Sequence, residues 1–213
     1  MKPTILFDLD GTLIDSTSAI LSGFYYAFDK FAAAKPSESA ITTQIGYPLE
    51  IMFANLGVKS KFVDEFVKAY KERYLQIYLD QTTLLESAYE AVKFGSEFAD
   101  LGVVTTKTSK FSHILLEHLG ISRFLKTIIG KEDASNLKPH PEPILNALAN
   151  LGKTSQNAFM VGDTKLDAIA AKGANAKSIG VLCGYGSQDE LKTHCDFVCK
   201  NPLEAVKTAL ASV

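Results

Sequence analysis

The chain has 213 residues, 46% of them hydrophobic and 22% charged, which is ordinary for a soluble globular protein and enough to bury a large core in one or two domains. A formal net charge of −2, with no basic tract or acidic tail, argues against nonspecific contact with nucleic acid or acidic membranes. No stretch is apolar for long enough to cross a bilayer, and three cysteines, an odd and sparse set, point to reduced thiols in the cytoplasm.

In chain order, Met1-Lys2-Pro3 runs almost at once into the apolar run Ile5-Leu6-Phe7, which leaves no room for a signal peptide. That run is continuous, as a strand buried on both faces should be. It gives way to Asp8-Leu9-Asp10-Gly11-Thr12-Leu13, two carboxylates at a glycine turn. A strand ending in Asp-x-Asp can aim both acids and a backbone carbonyl at one point outside a sheet, a place to hold a hard cation and a phosphate. The four fixed residues would arise by chance about once in several hundred chains of this length.

From Asp15 to about Asp80 the spacing predicts helices and no strand. Ile20, Phe24, Ala27, Phe28 and Phe31 fall at helical intervals, as do Phe62, Phe66, Tyr70, Tyr74 and Tyr78. These aromatics are read as the core of an all-helical insert, with tyrosine hydroxyls at its rim. Lys35-Pro36-Ser37, Gly46-Tyr47-Pro48 and Gly57 punctuate it, and hinges are expected near Asp15-Ser16 and Asp80-Thr83.

After the insert, short apolar runs alternate with helical patterns. The runs are Leu101–Thr105, Lys126–Gly130, Ala158–Asp163, Ser178–Leu182 and Asp196–Val198; the helices span Ser109–Leu119, Pro143–Leu151 and Pro202–Leu210. Strands alternating with helices predict an α/β fold with a doubly wound, parallel, Rossmann-like sheet and right-handed crossovers. The expected domains are an α/β core over 1–14 and 83–213 and a small helical cap over 15–82, inserted after the first strand. Cys195 and Cys199 with His194 lack a fourth zinc ligand nearby, so they are read as thiols around a late strand.

Three more features gain weight from position. Thr105-Thr106-Lys107 follows a strand and leads into a helix, where hydroxyls and amides suit a phosphate. Lys138-Pro139-His140-Pro141-Glu142-Pro143 is a stiff loop that can hold Lys138 in one direction. Asp163 ends a strand, with Asp167 one helical turn onward on the same side. Asp8, Thr105 and Asp163 all fall at carboxyl ends of parallel strands, the edge where sites form in open α/β sheets.

Taken together, these motifs resemble the haloacid dehalogenase superfamily along essentially the whole chain, and within it the phosphoglycolate-phosphatase-like phosphohydrolases with a helical cap. Asp8 to Leu13 resembles the first family motif, Thr105 the second, Lys138-Pro139 the third and Gly162-Asp163 through Asp167 the fourth. The resemblance implies Asp8 as nucleophile and Asp10 as general acid and base. Thr105, Thr106 and Lys138 would bind the phosphoryl group, although Thr106 stands where the family often has Asn. Mg2+ would be held by Asp8, Asp163 and the backbone carbonyl of Asp10, with Asp167 supporting from nearby.

The implied activity is hydrolysis of a small phosphomonoester through an aspartyl phosphate, with a small phosphorylated metabolite as partner and neither nucleic acid nor membrane. Phosphomutase, pyrophosphatase and non-catalytic phospho-ligand binding are the alternatives on this scaffold. Asp10 argues against a dehalogenase or phosphonatase. The motif Asp-Lys-Thr-Gly-Thr and the membrane spans of transport ATPases are absent from the sequence. Gly46 and Tyr47, in a turn of the cap, are the expected contacts to the leaving group, reached when the insert closes over Asp8. The metabolite itself and the oligomeric state are not legible.

Overall fold

The computed structural model describes residues 2–213. The chain up to Ile14 joins Leu84–Val213 in one compact unit, and Asp15–Thr83 forms another. It opens with β1 (Thr4–Phe7) and β2 (Ile14–Asp15), followed by α1 (Thr17–Lys30), α2 (Glu38–Thr42), α3 (Leu49–Asn55) and α4 (Val63–Ile77). β3 (Thr83–Leu84) pairs with β2 where the chain passes from one unit to the other. Next come α5 (Ala88–Phe98), β4 (Asp100–Val104), α6 (Ser109–His118), β5 (Thr127–Ile129), α7 (Glu142–Asn150) and β6 (Ala158–Gly162). The chain finishes with α8 (Lys165–Gly173), β7 (Lys177–Val181), α9 (Gln188–His194), β8 (Phe197–Cys199) and α10 (Pro202–Ala211).

The first unit is built on a six-stranded sheet of order β5-β4-β1-β6-β7-β8, parallel throughout. β1 lies inside it, and Ile5, Leu6 and Phe7 are wholly removed from solvent. Burying each such side chain stabilises by roughly 1.5–3 kcal/mol, so this strand anchors whatever follows it. One face of the sheet is covered by α7 and α8, whose Ile144, Ala147, Leu148, Ala170 and Ala171 pack with Leu6, Val104 and Met160. α5 and α10 lie against each other and against the sheet strands. The chain steps outward from β1 to β4 and β5, then resumes at β6 on the other side of β1. A reversal of strand order of this kind opens a crevice at the carboxyl ends.

The second unit is helical, with an aromatic core. Phe24 lies 4.5 Å from Phe53 and 5.2 Å from Tyr70, and Phe28 lies 5.2 Å from Phe66, measured between ring centroids. Tyr70, Tyr74 and Tyr78 stack in turn at 5.4 Å along α4. Two members of the predicted stripe lie at the margin of this core: Phe31 and Phe62 are 39% and 41% exposed, and Phe31 stacks on Phe66 at 4.6 Å. Phe31 sits just past the end of α1, and Phe62 in the short 3-10 turn before α4, so neither shares its helix's buried face. Among the described residues no helix is long and apolar enough to cross a membrane.

Candidate active site

Sheet register sets the level of the site. Phe7 pairs with Val103 on one side and Val161 on the other. Asp8 is therefore level with Val104 and Gly162, and Thr105 and Asp163 stand one residue further out on the two flanking strands. Asp8, Thr105 and Asp163 are all buried, unusually for polar groups at a sheet edge. Gly11 makes the turn after β1 with φ +80°, and a Cβ there would come 2.4 Å from Asp163 Oδ2. Only glycine supplies both the left-handed backbone and the space. The neighbouring Thr12 hydroxyl donates to Asp163 Oδ1 at 3.3 Å, tying the first motif to the end of β6.

Lys138 reaches this group from the loop before α7. Its ammonium lies 2.8 Å from Asp8 Oδ1 and 2.6 Å from Asp167 Oδ1, and donates to the Val104 carbonyl at 3.0 Å. Three donors meet three acceptors, the satisfaction a buried ammonium requires. Asp167 serves two purposes at once. Its Oδ1 holds Lys138, while its Oδ2 accepts from the Thr164 amide at 3.1 Å and the Thr164 hydroxyl at 2.9 Å, which caps α8. Gly162 makes room for it, since a Cβ there would lie 2.2 Å from Asp167 Cγ.

The electrostatics follow from crowding carboxylates away from water. Burial pushes the Asp8 carboxyl up to about 7, a rise that Lys138 opposes and Asp167 reinforces. Burial likewise holds Asp163 well above the usual carboxylate range, with Asp8 and Asp167 adding to it and the Tyr185 amide and Lys138 opposing it. For Lys138 burial works the other way, but Asp167 and Asp8 outweigh it and the ammonium stays charged beyond its ordinary range. Asp8, Asp163 and Asp167 each bring an oxygen within 4.8 Å of the others. One lysine does not neutralise three such groups, and an all-oxygen donor set of this kind fits a hard divalent cation such as Mg2+. Asp167 is held by the Lys138 ammonium on one oxygen and by two Thr164 donors on the other, whereas Asp163 meets only single neutral donors, the Thr12 hydroxyl and the Tyr185 amide, so Asp8 and Asp163 are the side chains better suited to ligate it.

The remaining expected residues lie in two places. Asp10 follows Asp8, and its Oδ2 is 3.2 Å from the Lys107 ammonium. Thr106 is half-buried in the loop between Thr105 and Lys107. That loop runs directly into α6, whose first amide, that of Ser109, donates to Glu132 at 2.8 Å. Gly46 and Tyr47 belong to the helical unit, between α2 and α3. Gly46 has φ +107°, a left-handed backbone that favours glycine.

Two contacts escaped the sequence reading. One is the Lys107–Asp10 pair. The other is the loop after β7, where the Tyr185 amide donates to Asp163 Oδ2 at 2.8 Å. A glycine on each side of Tyr185 was the available signal, but nothing in one sequence says where that loop returns. Cys183 in the same loop has its thiol pushed up to about 11, by burial first and then by Asp163, so it is no ready nucleophile.

Comparison with known proteins agrees with this geometry. A family profile described as "Haloacid dehalogenase-like hydrolase" matches residues 5–181. The chain is 34% identical over 181 residues to the pyrophosphatase PpaX of Bacillus velezensis, covering 83% of this chain and 82% of that one. It is 31% identical over 206 residues to the phosphoglycolate phosphatase of Aquifex aeolicus, covering 95% and 94%. A haloacid dehalogenase-like hydrolase of Streptococcus pneumoniae superposes with a TM-score of 0.89 at 27% identity, over 97% of each chain. The parallel sheet, the strand-end acids and these likenesses agree: the chain belongs to the haloacid dehalogenase-like hydrolase family.

Proposed function

We propose that the protein is a magnesium-dependent cytoplasmic phosphatase that hydrolyses a small phosphomonoester of the phosphoglycolate kind through a phosphorylated Asp8. The observation that carries this reading is the buried ammonium of Lys138 at 2.8 Å from Asp8 Oδ1. A dianionic phosphate repels a carboxylate nucleophile, and Lys138 offsets that repulsion from the side of the phosphoryl oxygens. An oxygen of Asp8 bonds to phosphorus while the bond from phosphorus to the leaving group breaks. The electron pair goes to the leaving oxygen, which takes a proton from Asp10. Asp10 then takes a proton from the water that attacks phosphorus, and the Asp8 carboxylate is released. The Thr105 hydroxyl, with Thr106 beside it, binds the phosphoryl oxygens. Magnesium would be held by Asp8, Asp163 and the backbone carbonyl of Asp10, supported by Asp167, and supplies charge neutralisation between carboxylate and phosphate.

The helical unit, inserted directly after the acidic motif in sequence, is the selector of the substrate, with Gly46 and Tyr47 as its reading turn. Because Gly46 needs its backbone conformation, Tyr47→Ala is the cleaner probe: it should reorder preferences among metabolites more than it slows acetyl phosphate hydrolysis. Pyrophosphate is the second reading, favoured by the likeness to the Bacillus velezensis pyrophosphatase. A screen of phosphoglycolate, pyrophosphate, sugar phosphates and nucleotides, ranked by kcat/KM with magnesium and repeated after exhaustive chelation, tests both. Hydrolysis of none of these, or full activity after chelation, overturns the proposal.

A further inference from the structure

The site holds a second lysine. The Lys107 ammonium lies 3.2 Å from Asp10 Oδ2, and the two side chains are only 10% and 13% exposed. Exposed ion pairs contribute little because solvent screens them and long side chains lose freedom on pairing. This pair is different because both members are largely removed from water and the lysine's main chain is fixed on both sides. The Lys107 amide donates to Thr105 Oγ1 at 3.1 Å, and the Lys107 carbonyl accepts from the Lys131 amide at 2.9 Å. The phosphate-binding loop therefore carries a cation whose root cannot drift.

We propose that Lys107 is a positioning residue for proton transfer to the leaving group. Its ammonium on Oδ2 fixes the rotation of the Asp10 carboxyl group about its Cβ–Cγ bond, and with it where the carboxyl proton points. The two lysines then divide the site. Lys138 holds the carboxyl group that attacks phosphorus, and Lys107 holds the one that serves the departing oxygen. No atom moves through Lys107: the bond from phosphorus to the leaving oxygen breaks, its electron pair stays on that oxygen, and the proton comes from Asp10. The inference rests on Asp10 being the proton donor.

An alkyl phosphate departs as a strongly basic alkoxide and needs that proton, whereas acetyl phosphate and 4-nitrophenyl phosphate leave as weakly basic anions. A well-placed general acid contributes about 10²–10⁴-fold where the proton is needed. The test compares kcat/KM, which reports the step in which the leaving group departs and not the later hydrolysis common to both substrates, on an alkyl phosphate and on acetyl phosphate for wild type, Lys107→Met, Lys107→Arg and Asp10→Asn. The ratio of the two rates does not depend on how much of a variant is folded. Lys107→Met should lose at least about tenfold more on the alkyl phosphate than on acetyl phosphate, and Lys107→Arg should recover most of that difference. Equal losses on both substrates, or no loss, overturn the role given to Lys107. A lysine acting directly on the transferred phosphoryl group would give the equal losses, since that group is common to both. Asp10→Asn separates the two levels. If it discriminates between leaving groups and Lys107→Met does not, only the positioning role fails. If Asp10→Asn does not discriminate, the assignment of Asp10 fails and this inference with it.

Discussion

Replacing Lys138 by methionine keeps an unbranched stem and removes the ammonium that touches Asp8, Asp167 and the Val104 carbonyl at 2.8, 2.6 and 3.0 Å. Removing one partner of a buried ion pair costs about 3–5 kcal/mol, because the remaining charge is stranded. Two carboxylates are stranded here, but both have relief. Asp8, already at about 7 with Lys138 present and higher without it, can take a proton, which at about pH 8 costs at most about 1.4 kcal/mol. Asp167 keeps the two Thr164 donors on its other oxygen. The expected loss is therefore near the lower bound, about 3 kcal/mol at about pH 8. At roughly 2–4 °C per kcal/mol for a chain of this length, the melting temperature should fall by about 6–12 °C. The sign with pH follows from Asp8. Its folded value lies above its ordinary 3.8, so it costs stability above about 7, and that cost is relieved as pH falls from there toward 3.8. Without Lys138 the value rises further, so the gap between variant and wild type is widest at about pH 8 and narrower at about pH 6. The chain has no tryptophan, so far-ultraviolet circular dichroism or calorimetry, in chelator, is the measurement. A shift under about 2 °C at the higher pH, or a gap that widens on acidification, would refute the reasoning.

Asp8→Asn should abolish turnover and leave the circular dichroism spectrum unchanged; retention of more than about a few per cent of the rate would show that the chain does not react through a covalent Asp8 intermediate. Gly162→Ala drives a methyl group to 2.2 Å from Asp167 Cγ and should cost about 1–3 kcal/mol in denaturant unfolding together with a drop in kcat, whereas a neutral melt would mean that Asp167 yields freely. Asp100 lies beside Lys126 at 2.6 Å and Lys153 at 3.0 Å. Burial alone would raise its carboxyl, but these lysines outweigh burial and hold it below the ordinary 3.8. Its contribution is thus present above that value and lost as pH falls through the folded one. Asp100→Asn should cost about 1 kcal/mol at neutral pH and nothing once the acid is protonated, and a deficit unchanged by acid would disprove the pairing.

The parallel sheet was legible because its central strands are buried on both faces and so read as unbroken apolar runs. Ile5-Leu6-Phe7 and Ala158–Val161 leave little else to be. α9 was not legible, since its seven residues bury Leu191 alone and carry no apolar stripe. Counting periods also placed Phe31 and Phe62 inside the helical core, whereas both stand at its margin, because periodicity does not say where a helix stops. In the candidate site, the residues at strand ends announced themselves by position: Asp8, Thr105 and Asp163 each follow an apolar run. Lys107 and Tyr185 did not, because their contacts are made by loops returning from elsewhere in the chain. Gly46 carries a further reason for being glycine, a backbone at φ +107° that spacing alone does not announce.

The bond from Thr12 to Asp163 joins residues 151 positions apart, and the amide that meets Asp163 comes later still, at Tyr185. A ribosome must therefore deliver the polypeptide as far as Asp167 before Asp8 has the neighbours that set its charge, and as far as Tyr185 before Asp163 has its own. Until then those acids stay in water as ordinary carboxylates at their ordinary pKa. A nascent or prematurely ended product is therefore expected to be inert rather than half-active. Pairings this distant also fold slowly, because the loop entropy must be overcome before the contacts form. Recovery of turnover after dilution from denaturant thus reports the last stage of assembly rather than the first collapse.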